Sequence, residues 1–210
     1  MEKESLFPVI TAVLTRVGRG EILRRFGPKS CIASTRIVIE VLARYGVASN
    51  PMAVRTVVTR SDDGVTLGSV DGTIGKPPEW NGTVAGHLIV VLPGYGLLID
   101  ASLDQVRNQE FDIDNLPCPF IAPVGAEFAA GRESAYFCLA GCGIIYEPHA
   151  IPDAVLATRE WRQRQPRAAV VDKICAHIDR AKPISGNQFR KLYTSAYEFC
   201  ESTNVGAAGS

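Results

Sequence analysis

Apolar residues recur with a helical period at the start of the chain. Leu6, Val9, Ile10, Val13, Leu14 and Val17 predict a helix over 5–26. Gly18 and Gly20 split off a second piece at 21–26, and Gly27-Pro28 ends it. A second helix is expected from about 30 to about 45. Ser30 supplies a hydroxyl N-cap and Gly46 a C-terminal cap, while Ile37, Val38, Val41, Leu42 and Tyr45 form a stripe wide enough for burial.

The pattern then changes to that of strands. Val54, Thr56, Val57, Val58 and Thr59 are β-branched and predict a strand over 52–60. Residues 61–84 are rich in glycine and proline, carry Trp80 near their end, and read as a long loop with at most a short hairpin. Two apolar runs within 86–103 flank Pro93-Gly94-Tyr95-Gly96, the clearest hairpin signal in the chain. A polar stretch follows, then one or two strands within 136–146, broken at Gly141 and Gly143. Helices at 152–164, 167–180 and 188–200 and a small-residue, mobile tail at 205–210 complete the reading. The sum is an α+β chain with helices before and after an antiparallel sheet. One domain is expected over 1–204, with its core at about 28–150 and a helical segment at about 152–204.

Composition narrows the function classes. The chain has 210 residues, 46% of them hydrophobic, enough for a substantial core and too many for wholesale disorder. The 22 basic and 22 acidic residues cancel, so bulk charge offers no hold on nucleic acid or an anionic membrane. Arg159, Arg162, Arg164 and Arg167 accordingly read as a solvated helix face. No apolar run is long enough to span a bilayer, and the first residues lack the pattern of a signal peptide. A cytoplasmic protein with reduced thiols is expected, its cysteines (Cys31, Cys118, Cys138, Cys142, Cys175 and Cys200) being scattered. Cys138 and Cys142 lack a second ligand pair at zinc-finger spacing, so they read as structural thiols; no metal and no cofactor is expected.

Three residues carry candidate chemistry. Cys31 opens the second helix, where free backbone N–H groups and the helix dipole favour a thiolate and can bind an oxyanion. Lys29, Ser30 or the amide of Trp80 is a candidate for the second oxyanion donor. His87 opens a strand and Asp100 closes the next. With the hairpin turn centred between Gly94 and Tyr95, Ile89 faces Asp100 and Ser102 faces His87. Side chains alternate along a strand, so His87 and Asp100 become diagonal neighbours on one face. A slip of one residue would destroy this match. Asp104 shares the face as a rival orienting carboxylate but lies farther from the turn. His149 reads as a surface-loop residue and His177 as a helix residue outside the site.

The strings Ser30-Cys31-Ile32-Ala33, Gly86-His87-Leu88-Ile89-Val90-Val91 and Leu98-Ile99-Asp100-Ala101-Ser102 resemble the transglutaminase-like branch of the papain-like superfamily. The resemblance covers about residues 28–105, and the Cys-His-Asp order is its most specific part. It implies a cysteine helix packed on an antiparallel sheet, with Cys31 as nucleophile, His87 as base and acid, and Asp100 as orienter. It also implies that Trp80 shields the site. The function expected from it is acyl transfer through a thioester on Cys31, by hydrolysis or transamidation of a peptide, protein or small amide. Two alternatives stand beside it: a catalytically silent binding module, and a CoA-dependent N-acyltransferase. The latter is disfavoured by the missing Arg-Gly-Gly before the cysteine.

Overall fold

The computed structural model describes residues 3–26, 31–60, 64–70, 73–75, 84–103, 119–139, 141–150, 154–163 and 168–181, and every structural statement below concerns these. Helix α1 (Lys3–Val13) runs through a π-helical turn at Leu14–Gly18 straight into α2 (Arg19–Phe26). The glycines therefore do not break the helix as the sequence suggested. Threonines ease the change of hydrogen-bond register instead: Thr11 Oγ1 reaches the carbonyls of Phe7 and Pro8 at 3.2 and 2.9 Å, and Thr15 Oγ1 donates to Thr11 O at 2.9 Å. Helix α3 (Cys31–Arg44) ends as expected at Gly46, whose φ of 70° is left-handed. Val47 N donates to Leu42 O and Gly46 N to Ala43 O, both at 3.0 Å, closing a Schellman motif.

Nine strands follow the helices or lie between them: β1 (Asn50–Arg60), β2 (Thr66–Val70), β3 (Thr73–Gly75), β4 (Val84–Ala85), β5 (His87–Leu92), β6 (Leu97–Asp100), β7 (Phe120–Pro123), β8 (Ala135–Leu139) and β9 (Cys142–Pro148). The main sheet has the order β7-β6-β5-β1-β9-β8 and its pairs are antiparallel, so the chain is an α+β structure. β1 is the spine. One edge pairs with β9, and the other is shared between β5 along residues 50–54 and β2 along 56–59.

This sharing explains one departure from the sequence reading. The short antiparallel pair β3–β4 answers to the hairpin allowed within the 61–84 loop, whereas β2 was not expected there. β1 is longer than β5, and the unpaired half of its edge is taken by β2, despite Gly68 within that strand. β7 was also not foreseen, because it is short and ends in a proline that ordinary strands exclude. It lies on the outer edge of β6, the position where proline is tolerated. The helix expected at 152–164 divides into a 3-10 turn (Ala154–Ala157) and α5 (Arg159–Gln163), with α4 (Ala126–Ala129) earlier and α6 (Ala168–Arg180) after. Thr158 makes the division: its Oγ1 donates to Val155 O at 2.8 Å and accepts from Trp161 N at 3.2 Å. The helix expected at 188–200, the tail at 205–210 and the residues Ser30, Trp80, Asp104, Cys118 and Cys200 lie outside the described residues.

Both faces of the sheet are buried. On one, Val90, Leu92, Leu97 and Ile99 pack with α1, α3 and α6 through residues such as Ile10, Ile37, Val41, Val171 and Ile174. On the other, Ile89, Val91 and Leu98 pack with Val54, Val58, Phe120, Phe128 and Tyr146. Strands covered on both sides are apolar throughout, as β5 is after its first residue. Among the described residues no helix is long and apolar enough to cross a membrane.

Candidate functional site

The β5–β6 hairpin has the register that the turn implied. Val90 pairs with Ile99, Val91 with Leu98 and Leu92 with Leu97. A 3-10 turn at Pro93–Tyr95 followed by left-handed Gly96 (φ 59°) sets it. His87 and Asp100 consequently share the face occupied by Ile89, Val91 and Leu98, and His87 Nε2 lies 2.8 Å from Asp100 Oδ1. Both residues are 0% exposed. A buried charge persists only when its partners satisfy it, and Asp100 has three donors. His87 Nε2 and the backbone N–H of Ser102 (2.9 Å) meet Oδ1, and Tyr146 Oη donates to Oδ2 at 2.9 Å.

Tyr146 was not singled out from the sequence. It lies on β9, three strands from β6. At roughly 4.8 Å per strand a flat sheet would separate the two backbones by about 14 Å, so contact between their side chains requires a strongly curved sheet. Phe120, directly opposite Asp100 on β7, stacks on the Tyr146 ring at 6.3 Å and 13°, and Phe137 meets that ring edge-on at 6.0 Å. Only the curvature of the sheet links these positions, which is why periodicity could not.

Cys31 reaches the pair from the helical layer. Ile32, its neighbour on α3, packs with Ala53 of β1, Leu88 of β5, and Ala154 and Val155; Cys31 and Trp161 lie against the same cluster. One turn further along, Thr35 Oγ1 donates to Leu88 O at 3.2 Å. These contacts hold the first turn of α3 over the start of β5. His87 is the first residue of that strand. His87 Nδ1 makes no fully formed hydrogen bond among the described residues, and the Cys31 thiol is close enough to favour the charged ring. Burial alone pushes the His87 pKa down. The Asp100 charge and hydrogen bond, helped by Cys31, outweigh it and raise the pKa to about 10.

Gly86 fixes where His87 begins. Its φ is 99°, and a Cβ there would lie 2.1 Å from the carbonyl oxygen of Val54, the residue paired with His87 on β1. Only glycine permits this approach.

Comparisons with protein-family models, with curated proteins and with solved structures return no match. The chemical reading therefore rests on the geometry.

The other thiols differ from Cys31, which is half-buried. Cys138, Cys142 and Cys175 are buried, and burial pushes the Cys142 and Cys175 thiols up in pKa. Cys138 and Cys142 flank the tip of the β8–β9 hairpin. His149 continues β9 past its end, its N–H donating to Ala53 O at 2.9 Å, and His177 is exposed on α6. Among the described residues no group of three or more histidine, cysteine or acidic side chains is arranged to hold a metal.

Proposed function

We propose that this chain is a cysteine-dependent acyl-transfer enzyme of the transglutaminase-like, papain-like type. The observation that carries the reading is the buried His87, bonded through Nε2 to Asp100 while Nδ1 is left for Cys31. In this reading the Cys31 sulfur attacks an amide or ester carbonyl and a tetrahedral oxyanion forms beside the α3 N-terminus. The C–N or C–O bond breaks, His87 Nδ1–H gives its proton to the departing amine or alcohol, and a thioester remains on Cys31. Water or an acceptor amine then loses a proton to Nδ1 and attacks the thioester, releasing acid or new amide and restoring the thiol. Asp100 keeps Nε2 protonated throughout, so the nitrogen facing the sulfur is the one that exchanges protons.

Support comes from the 2.8 Å contact of His87 with Asp100 on adjacent strands, and from the raised pKa of His87, to which Cys31 contributes and which favours an imidazolium beside the sulfur. The acyl group would lie along the apolar wall of Val155, Ala154 and Trp161 next to Cys31, so the substrate is a peptide, protein or small amide with an apolar group near the scissile carbonyl. The proposal takes residues 1–204 as one catalytic domain working in a reducing compartment such as the cytoplasm, with no cofactor.

Iodoacetamide labelling of the folded protein with mass mapping tests it. Cys31 is expected to react first among the six cysteines, and His87→Gln is expected to slow it by at least about tenfold. Uniform labelling, or labelling of Cys31 only after unfolding, removes the chemical basis of the proposal.

A further inference from the structure

We propose that Tyr146 is a fourth member of the site, a positioning residue that locks the Asp100 carboxylate and thereby aims His87 Nδ1 at Cys31. The inference deepens the reading above and rests on it for the role of His87. Asp100, His87 and Tyr146 are each 0% exposed, so water cannot replace a missing donor. Asp100 Oδ1 is engaged by His87 Nε2 and Ser102 N, and Oδ2 receives the Tyr146 hydroxyl at 2.9 Å. The terminal torsion of an aspartate is broad and roughly two-fold. With donors on both oxygens the carboxylate plane is fixed. With Oδ2 left bare, a buried charged oxygen has no partner, and the group gains by turning to share its remaining donors. The His87 ring follows, because its Nε2 bond runs to the carboxylate, and Nδ1 swings away from the sulfur.

An ionised carboxylate only accepts, so the phenol proton must point to it. The ring packs against both Phe120 and Phe137, and Phe120 sits opposite Asp100 in the sheet, so ring and carboxylate are tied to the same strand pair. A purely structural core tyrosine would need the aromatic packing but not this bond.

Tyr146→Phe separates the two, since it keeps the ring and removes only the hydroxyl. The test uses the full chain and reads the far-downfield proton resonance of the His87 Nε2–H, assigned by its loss in His87→Gln, together with the rate of Cys31 alkylation by iodoacetamide. In a folded Tyr146→Phe protein the resonance is expected to shift or vanish, and alkylation to slow by at least about tenfold, the lower end of the scale of one hydrogen bond to a charged group. A folded variant with both readouts unchanged overturns the proposal. Should Tyr146→Phe fail to fold, 3,5-difluorotyrosine at position 146 retains the hydroxyl as a stronger donor. It draws charge from the carboxylate and is expected to move the His87 resonance upfield, and an unmoved resonance overturns the proposal. A resonance that responds to Tyr146 in a protein whose Cys31 labels no faster than its buried thiols supports the positioning role and counts against the enzyme reading alone.

Discussion

Thr35 and Leu88 join the helix bearing the thiol to the strand bearing the imidazole. The Thr35 hydroxyl, 1% exposed, donates to the Leu88 carbonyl at 3.2 Å, one helical turn from Cys31 and one residue from His87. Thr35→Val keeps the shape and removes the bond. It is expected to cost about 1 kcal/mol in urea unfolding and to lower Cys31 alkylation severalfold while leaving Cys175 protection intact. An unchanged alkylation rate would show that apolar packing alone seats the helix.

Gly86→Ala is expected to be among the most damaging single substitutions. The added methyl meets the Val54 carbonyl at 2.1 Å, and alanine resists the φ of 99°. Main-chain clash and left-handed strain together predict a loss of at least about 2 kcal/mol. Thermal unfolding measures it. A variant as stable as the parent would mean that the turn before β5 relaxes freely.

Stability should fall at alkaline pH through His87. An unfolded histidine titrates near about 6.5, whereas the folded ring is raised to about 10. The folded state thus binds the proton more tightly. The gain is complete below about pH 6.5 and disappears as pH rises through about 10. Urea midpoints measured across that window should decline in the parent and remain flatter in His87→Gln. Parallel profiles would argue against a buried ion pair between His87 and Asp100.

Trp161 lies against the apolar cluster that flanks Cys31 and is held from behind. Arg36 stacks over its ring at 4.6 Å from the centroid and donates to its carbonyl oxygen. Trp161→Ala is expected to slow alkylation of Cys31 by N-phenyl iodoacetamide at least about fivefold more than by iodoacetamide, since lost apolar contact affects only the larger reagent. Equal effects on both reagents would make Trp161 a structural prop only.

Much of this site was legible because its determinants are local. The hairpin register followed from a short turn, and the common face of His87 and Asp100 followed from strand alternation. The end of α3 followed from Gly46. What escaped depends on the path of the chain in space. Tyr146 meets Asp100 only because the sheet curves, and Trp161 reaches the cluster that Cys31 also packs against only because Thr158 ends one turn and starts another helix. β2 was hidden by glycine, its pairing supplied by the spare edge of β1. The strongly helical 5–26 pattern was right in extent, but the glycines misled about its continuity, because threonine side chains serve carbonyls that a shifted ladder exposes.

Helix α6 buries Val170, Val171, Ile174, Cys175 and Ile178 against α1, α3 and the sheet. During synthesis the ribosome releases α1 and α3 more than a hundred residues earlier, and until Ile178 has emerged their oily faces have no final cover. Acquisition of the native state is therefore a late event that waits for α6, and nascent chains halted before it should be conspicuous clients of chaperones.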